Sequence, residues 1–359
     1  MNDKNKEFDI VSKLVKALRN MYLFVVFLVV LGYVAMSNFS SVAAEIEEAP
    51  SRVKAKTLSV KKEKKDFFSQ KYSVEELGDS PLEQSIKQGY QLVTNTHKLI
   101  GPLSEDPTKR YTGNMLTCNN CHLNAGTKKY AAPYIGVTGK FPKYIGRENK
   151  VESLEERING CMERSMNGKK LSHESDEMHA FVAYMNWLSR NVAIGENIEG
   201  QGFKPIELPH RKVDLSHGEK VYQQSCSSCH GTDASGMQNP DGTFTFPPLA
   251  GDKTYNQGAG MHRVLTSAKF IKHNMPLGAS AENPILSDEE AYDVAGYINS
   301  LSRPEKEGVA QDFPDLKRKP VSTPYGPWED DFPAQQHKYG PFQEIIAYYE
   351  KEYNIHKTK

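Results

Sequence analysis

Cys118-Asn119-Asn120-Cys121-His122 and Cys226-Ser227-Ser228-Cys229-His230 are the two stretches on which the reading of this 359-residue chain turns. Both follow Cys-x-x-Cys-His, the attachment pattern of c-type haem. The chemistry explains the pattern: the two thiols add to the haem vinyl groups, and the adjacent imidazole reaches under the ring to bind iron. A zinc site and a redox disulfide are the competing uses of such residues, but the full pattern met twice is the more specific signal. Two covalently bound haem c groups are therefore expected, held by Cys118, Cys121, Cys226 and Cys229, with His122 and His230 as proximal iron ligands. Each haem would form much of a small core, so few strands are needed and the fold is expected to be mainly α-helical.

Apolar residues make up 38% of the chain and charged residues 25%, which excludes disorder throughout, and the length allows about two domains of about 100 to 200 residues. The 45 Lys+Arg balance 45 Asp+Glu, so no basic excess points to nucleic acid as a partner. At the N-terminus Lys4, Lys6, Lys13, Lys16 and Arg19 precede an uncharged stretch from Met21 to Ala44. Its most apolar part, Met21 to Met36, is slightly short for a bilayer-spanning helix, and Val42-Ala43-Ala44 resembles a small-residue cleavage site. Residues 1–44 thus read as a signal peptide or a membrane anchor; either exports the body to the periplasm and leaves the positive flank inside. Residues 45–76, with the run Lys61-Lys62-Glu63-Lys64-Lys65-Asp66, read as a flexible linker. A first haem domain is expected over 77–205 and a second over 206–303. Each has a helical pattern before its motif and another at its end, the last opening at Ser287 with Asp288, Glu289 and Glu290 in its first turn. Residues 304–359 hold seven prolines and nine aromatics, including Phe313, Trp328, Phe332 and Tyr339, and read as a strap packed over both domains.

Each iron needs a second axial ligand. Met275 follows His230 by 45 residues, in Asn274-Met275-Pro276-Leu277-Gly278 just ahead of the last of these helices, and this resembles the methionine loop of mono-haem cytochromes c. A thioether there favours ferrous iron and raises the potential. A core position is the commoner fate of a methionine, and Met237, Met261, His262 and His273 are the other candidates. Phe246-Pro247-Pro248-Leu249-Ala250-Gly251 fits a loop over a haem edge. The first domain has no such methionine loop, and its candidates are Cys161, Met162, Met166, Met178, Met185, His97, His173 and His179. Cys161 is the odd fifth cysteine, which in an oxidising compartment is hidden, paired between chains, or used. The stretch Val151 to Gly168 reads as a helix on which Arg157, Cys161 and Ser165 share a face and Arg164 stands three residues from Cys161. Cations so placed lower a thiol pKa and attract an anion, and Gly160 leaves room for a flat ring. A buried, inert Cys161 is the plainer alternative. Likewise, Arg147 can hold a haem propionate, and Arg157 can pair with Glu152, Glu155 or Glu156.

Taken together, the two motifs, the cysteine about forty residues after the first, the string Arg157-Ile158-Asn159-Gly160-Cys161-Met162-Glu163-Arg164-Ser165-Met166-Asn167-Gly168, the upstream Arg147 and the late Asn274-Met275-Pro276 resemble the di-haem thiosulfate dehydrogenases of the TsdA type, over about residues 80–303. The resemblance implies two tandem cytochrome c-like domains, with Cys161 as distal ligand of the catalytic haem and Arg147, Arg157 and Ser165 as active-site positions. It implies an enzyme that couples two thiosulfates into tetrathionate, or runs the reverse. Electrons would pass between a haem bound by His122 and Cys161 and one bound by His230 and Met275, then exchange with a small periplasmic carrier such as a mono-haem cytochrome c. Some members carry Lys where this chain has Asn274, so exchange of that ligand is not expected here; members with Asn-Met also reduce tetrathionate well. The rival readings are a non-enzymatic di-haem electron carrier with a structural Cys161, and a Sox A-type cytochrome that conjugates thiosulfate to a partner protein.

Overall fold

The computed structural model describes residues 3–47 and 66–358, so the charged run at 61–65 and most of the expected linker lie outside the described residues. The chain separates into an N-terminal unit ending at Lys64 and a body beginning at Lys65. The described residues of the N-terminal unit form one helix, α1 (Asp3–Glu47), whose segment Lys13–Val34 is 22 residues long with mean hydropathy 2.0, enough to cross a bilayer. This span exceeds Met21–Met36 because the helix continues through the basic flank, whose long side chains can reach an interface. Such a helix suits a signal peptide and an anchor equally.

The longer helices of the body are α2 (Pro81–Thr94), α3 (Leu154–Arg164), α4 (Asp176–Ser189), α5 (Leu215–Ser225), α6 (Val264–Asn274), α7 (Asp288–Ser300) and α8 (Gln343–Tyr353). Strand among the described residues is limited to two antiparallel pairs, β1 (Lys143–Ile145) with β2 (Lys150–Glu152) and β3 (Met237–Gln238) with β4 (Phe244–Phe246). The mainly α reading therefore holds. In each half the helix before the motif crosses the closing helix, α2 against α4 and α5 against α7. Both crossings need a glycine: a Cβ on Gly89 would lie 2.1 Å from the Ala180 carbonyl oxygen, and one on Gly218 would lie 2.2 Å from that of Asp293. An aromatic pair packs at each crossing, Tyr90 with Tyr184 and Tyr222 with Tyr297. The duplication read from the motifs extends to how the helices meet.

Local chemistry sets where the helices start. Ser80 with Glu83, Ser153 with Glu156 and Ser287 with Glu290 form reciprocal capping boxes. The second of these shortens the expected helix Val151–Gly168 to α3, because residues up to Glu152 are paired as β2 and the box fixes the first turn at Leu154. The flexible-linker reading is corrected from Asp66 onward. Phe67 and Val74 are buried in the first apolar cluster, and Tyr72 meets Trp187 edge-on at 5.7 Å, since aromatics in this stretch bury where the preceding charged run does not.

Two apolar clusters form the core. The first gathers Leu92, Ile158, Met162, Phe181 and Leu188, and the second gathers Val221, Leu265, Ile271, Val294 and Ile298. Tyr255 and Ala259 from the second half bury in the first cluster, and Ala131 from the first half buries in the second. From the C-terminal residues, Val321, Phe342, Ile345 and Tyr349 add to the second cluster.

Candidate active site

The second motif follows α5 as a short turn, Ser227–His230. His230 Nδ1 lies 2.8 Å from the Pro247 carbonyl oxygen, and burial lowers the ring's pKa, so a neutral imidazole donates through Nδ1 and leaves Nε2 free. Cys226, Cys229, His230 and Met275 line one cavity of about 370 Å³, with Leu249 and Phe270 among its apolar walls. Two thiols, an imidazole and a thioether around an apolar cavity are the donor set that a haem c uses. Met261 also lines it, whereas Met237 is exposed. His262 Nδ1 is engaged by the Gln257 carbonyl and His273 Nε2 by that of Pro205. Asn274 is buried and donates to the Phe270 and Tyr130 carbonyls, the latter beside the first motif. Asn119, Asn120 and Cys121 line the same cavity, so the two motifs are neighbours.

At the first motif His122 Nδ1 lies 2.6 Å from the Ala132 carbonyl oxygen, and the ring packs on Tyr134 with centroids 4.6 Å apart. Burial pushes the Cys118 thiol up to about 11 and that of Cys121 up to about 12. Cys161 behaves differently. Burial raises its pKa too, but the charge of Arg157, a hydrogen bond with His122 and the charges of His122 and Arg147 together outweigh burial and bring it down to about 6. Arg157 Nη1 stands 3.5 Å from the sulfur, one turn away on α3. None of the five cysteines is in a disulfide. An imidazole and a stabilised thiolate at one place, beside the thiols of Cys118 and Cys121, fit a second haem c. Met162, Met166, Met178 and Met185 are buried in the first apolar cluster, and His173 and His179 are exposed. His97 is buried with neither ring nitrogen hydrogen-bonded among the described residues.

The arginines divide by partner. The hydrogen-bond acceptor of Arg157 is Cys161, whose charge is the largest influence raising the arginine's own pKa, while Glu156 is taken by Lys150. Arg147 sits between β1 and β2. Its guanidinium lies over the Phe313 ring at 5.5 Å, its Nε is 3.8 Å from Asp312 Oδ2, and its carbonyl accepts from the Phe313 N–H at 2.7 Å. Arg164 does not flank the thiol as its spacing suggests. It turns instead to Asp312, with Nη1 and Nη2 at 2.8 and 2.7 Å from the two carboxylate oxygens, because a buried guanidinium needs a two-point acceptor. The Tyr325 hydroxyl donates to the same carboxylate at 2.7 Å. Ser165 gives its N–H to the Cys161 carbonyl and accepts Asn114 Nδ2 at 2.8 Å on its own carbonyl; its hydroxyl has no hydrogen bond among the described residues.

Sequence reasoning missed Asp312, Phe313 and Tyr325, and it missed Arg263, whose charge field overlaps those of Arg147 and Arg157. One signal was present for Asp312. Around Arg164 the helix-neighbouring positions are Gly160, Cys161, Asn167 and Gly168, none of them acidic, so a buried Arg164 has to find its carboxylate far along the chain.

Residues 108–194 match the family described as SoxA/TsdA, cytochrome c domain, and residues 213–298 match that described as Cytochrome C oxidase, cbb3-type, subunit III. Each match contains one Cys-x-x-Cys-His motif, so the chain carries two cytochrome c domains and binds haem c. The thiosulfate dehydrogenase of Psychrobacter arcticus is 40% identical over 236 residues, 66% of this chain and 68% of that protein. That of Allochromatium vinosum is 42% identical over 232 residues, 64% of this chain and 82% of that protein. Among solved structures, thiosulfate dehydrogenase (TsdBA) from Marichromatium purpuratum aligns with a TM-score of 0.60 and 33% identity over 66% of this chain, which spans 50% of that longer chain. With most of the length of such relatives matched, and both haem motifs inside the match to the family descriptions, the chain belongs to the thiosulfate dehydrogenase family.

Proposed function

We propose that this chain is an exported di-haem oxidoreductase that interconverts thiosulfate and tetrathionate. Two thiosulfates give one tetrathionate and two electrons, and the reverse reaction consumes them. The observation that carries the reading is the Cys161 thiol, favoured as thiolate beside His122 by Arg157 and Arg147. A plain electron carrier has no use for such a thiol.

One haem c would be held by Cys118, Cys121, His122 and Cys161, the other by Cys226, Cys229, His230 and Met275. When bound, the two haems supply one-electron acceptors that together take the pair released. The chain's own residues do the rest. Arg147 and Arg157 dock a dianionic thiosulfate, and charge-assisted bonds compensate for its lost water. Ser165 offers a hydroxyl donor one turn from the sulfur. The Cys161 thiolate bonds the outer sulfur of a thiosulfate, forming a sulfur–sulfur bond and releasing two electrons. A second thiosulfate attacks the outer sulfur of that adduct, the Cys161 sulfur leaves as thiolate, and tetrathionate departs. Charge balances at each step: three negative charges become one with two electrons released, and the second exchange conserves three.

Helix α1 serves export to the periplasm, as a cleaved signal or as a retained anchor. Electrons then exchange with a small periplasmic carrier such as a mono-haem cytochrome c. Protein-film voltammetry tests the reading directly: catalytic current is expected with thiosulfate, with tetrathionate, or with both, and silence with both overturns it. Denatured protein should retain two haems on a haem-stained gel. One haem or none would remove half of the scheme.

A further inference from the structure

Arg263 is the residue that the scheme above leaves unused. It caps the start of α6, and its Nε is sealed from solvent. Among the described residues its guanidinium makes no ion pair and its side chain no hydrogen bond. Its electrostatic neighbours are Arg147, Tyr325, Arg157 and Arg164, and burial together with those arginines lowers its pKa to about 9. The acids nearby are engaged elsewhere. Asp312 is held by Arg164 and Tyr325, while Glu148 and Glu152 act on Arg157. A half-buried guanidinium among three others, with its Nε sealed and no acid of its own, is costly for the fold unless an anion answers it.

Its position gives the anion an identity. Arg147 and Arg157 approach Cys161 from the first half, whereas Arg263 comes from the second. The halves are fastened here by Asn114, which bonds the Ser165 and Thr254 carbonyls, and by Asn256, which bonds the Glu163 carbonyl and Asn167. We propose that Arg263 is a third cation of the anion site at Cys161 and that it grips an oxyanion group, either a sulfonate of the thiosulfate or tetrathionate dianion or a carboxylate of the haem held at His122. Each exchange in the scheme above gathers three negative charges in one pocket, which makes a third fixed cation chemically useful. The sulfonate source rests on the proposed function; the need for an anion does not.

The experiment uses the full-length holoprotein carrying Arg263→Gln or Arg263→Lys. Sulfate, a tetrahedral dianion that does not react, serves as the binding probe by calorimetry, and the potential of the first haem is read by redox titration. If the ligand is a sulfonate, Arg263→Gln weakens sulfate binding and raises the thiosulfate KM by about tenfold or more, Arg263→Lys recovers part of this, and the haem potential stays in place. If the ligand is the haem carboxylate, the potential moves and sulfate binding does not. A folded Arg263→Gln protein with unchanged sulfate affinity and unchanged potential overturns the proposal. Should that variant fail to fold, phenylglyoxal labelling of the unaltered protein decides. Slower labelling of Arg263 in sulfate supports the site; labelling indifferent to sulfate, with an unshifted potential in Arg263→Lys, overturns it. A protein that turns over neither thiosulfate nor tetrathionate would end the proposed function, while sulfate affinity and potential still judge Arg263.

Discussion

Cys161 is the thiol outside the two attachment motifs, so its removal separates attachment from chemistry. Cys161→Ala is expected to keep both haems and to lose turnover, with thiolate features disappearing from the ferric spectrum at one haem. Substantial remaining activity would return Cys161 to the class of inert buried thiols. The arginines beside it bear on substrate more than on folding. Arg147→Gln and Arg157→Gln each keep some hydrogen-bonding capacity but remove a charge that opposes the repulsion between two dianions. Each should cost about 1.5 to 3 kcal/mol of transition-state binding, roughly tenfold to a hundredfold in kcat/KM. If Arg147 instead held only a haem propionate, the haem potential would shift and the thiosulfate kinetics would stay near normal. The placement of Arg157 one turn from Cys161 on α3 was legible, because helical spacing alone fixes it. The direction of Arg164 was legible only as a lack of acids at its helical neighbours; the spacing does not say that the acid waits 148 residues away.

At the scale of elements, α7 is joined to the start of α5 through one buried carboxylate. Asp293 accepts Arg211 Nη1 and Nη2 at 2.7 and 2.8 Å, His217 Nδ1 at 2.8 Å and the Asp214 N–H at 2.9 Å. Burial raises its pKa, but the bonds from Arg211, His217 and Asp214 outweigh burial and hold it below the usual carboxylate range. A carboxyl depressed in the folded state contributes its stability above the unfolded pKa of about 4 and loses it as pH falls through the folded value. Asp293→Ala should therefore destabilise by about 2 to 4 kcal/mol at pH 7, less than a fully buried pair because Arg211 keeps a wet flank. Urea unfolding at pH 7 and near pH 3 checks this. The gap between variant and parent should narrow in acid, and a gap independent of pH would contradict the ion-pair account. The start of α7 was readable from Ser287 and its three acids, as local capping always is. The limits of α3 were not, because a three-residue strand pairing at β1 and β2 overrode the helical period.

For the whole molecule, the C-terminal residues matter to stability as well as to the site. Val321, Phe342, Ile345 and Tyr349 are each at most 1% exposed in the second apolar cluster. At about 1.5 to 3 kcal/mol per buried side chain, removing all four withdraws roughly 6 to 12 kcal/mol, comparable with the entire stability of a domain. A protein ending at Arg303 is thus expected to lose the cooperative melt of its second haem domain, as followed by calorimetry. An unchanged melting temperature would contradict this. The aromatic content of 304–359 announced burial, but nothing in it announced Asp312, whose partner Arg164 lies on the far side of both the linker and the second motif. Asp312 is the counter-ion shared by Arg147 and Arg164, so the cation cluster on the first half is completed only when residues of the far C-terminal stretch pack against it. A C-terminal truncation is therefore felt at two distances at once, in the apolar packing of the second cluster and in the charge balance beside α3.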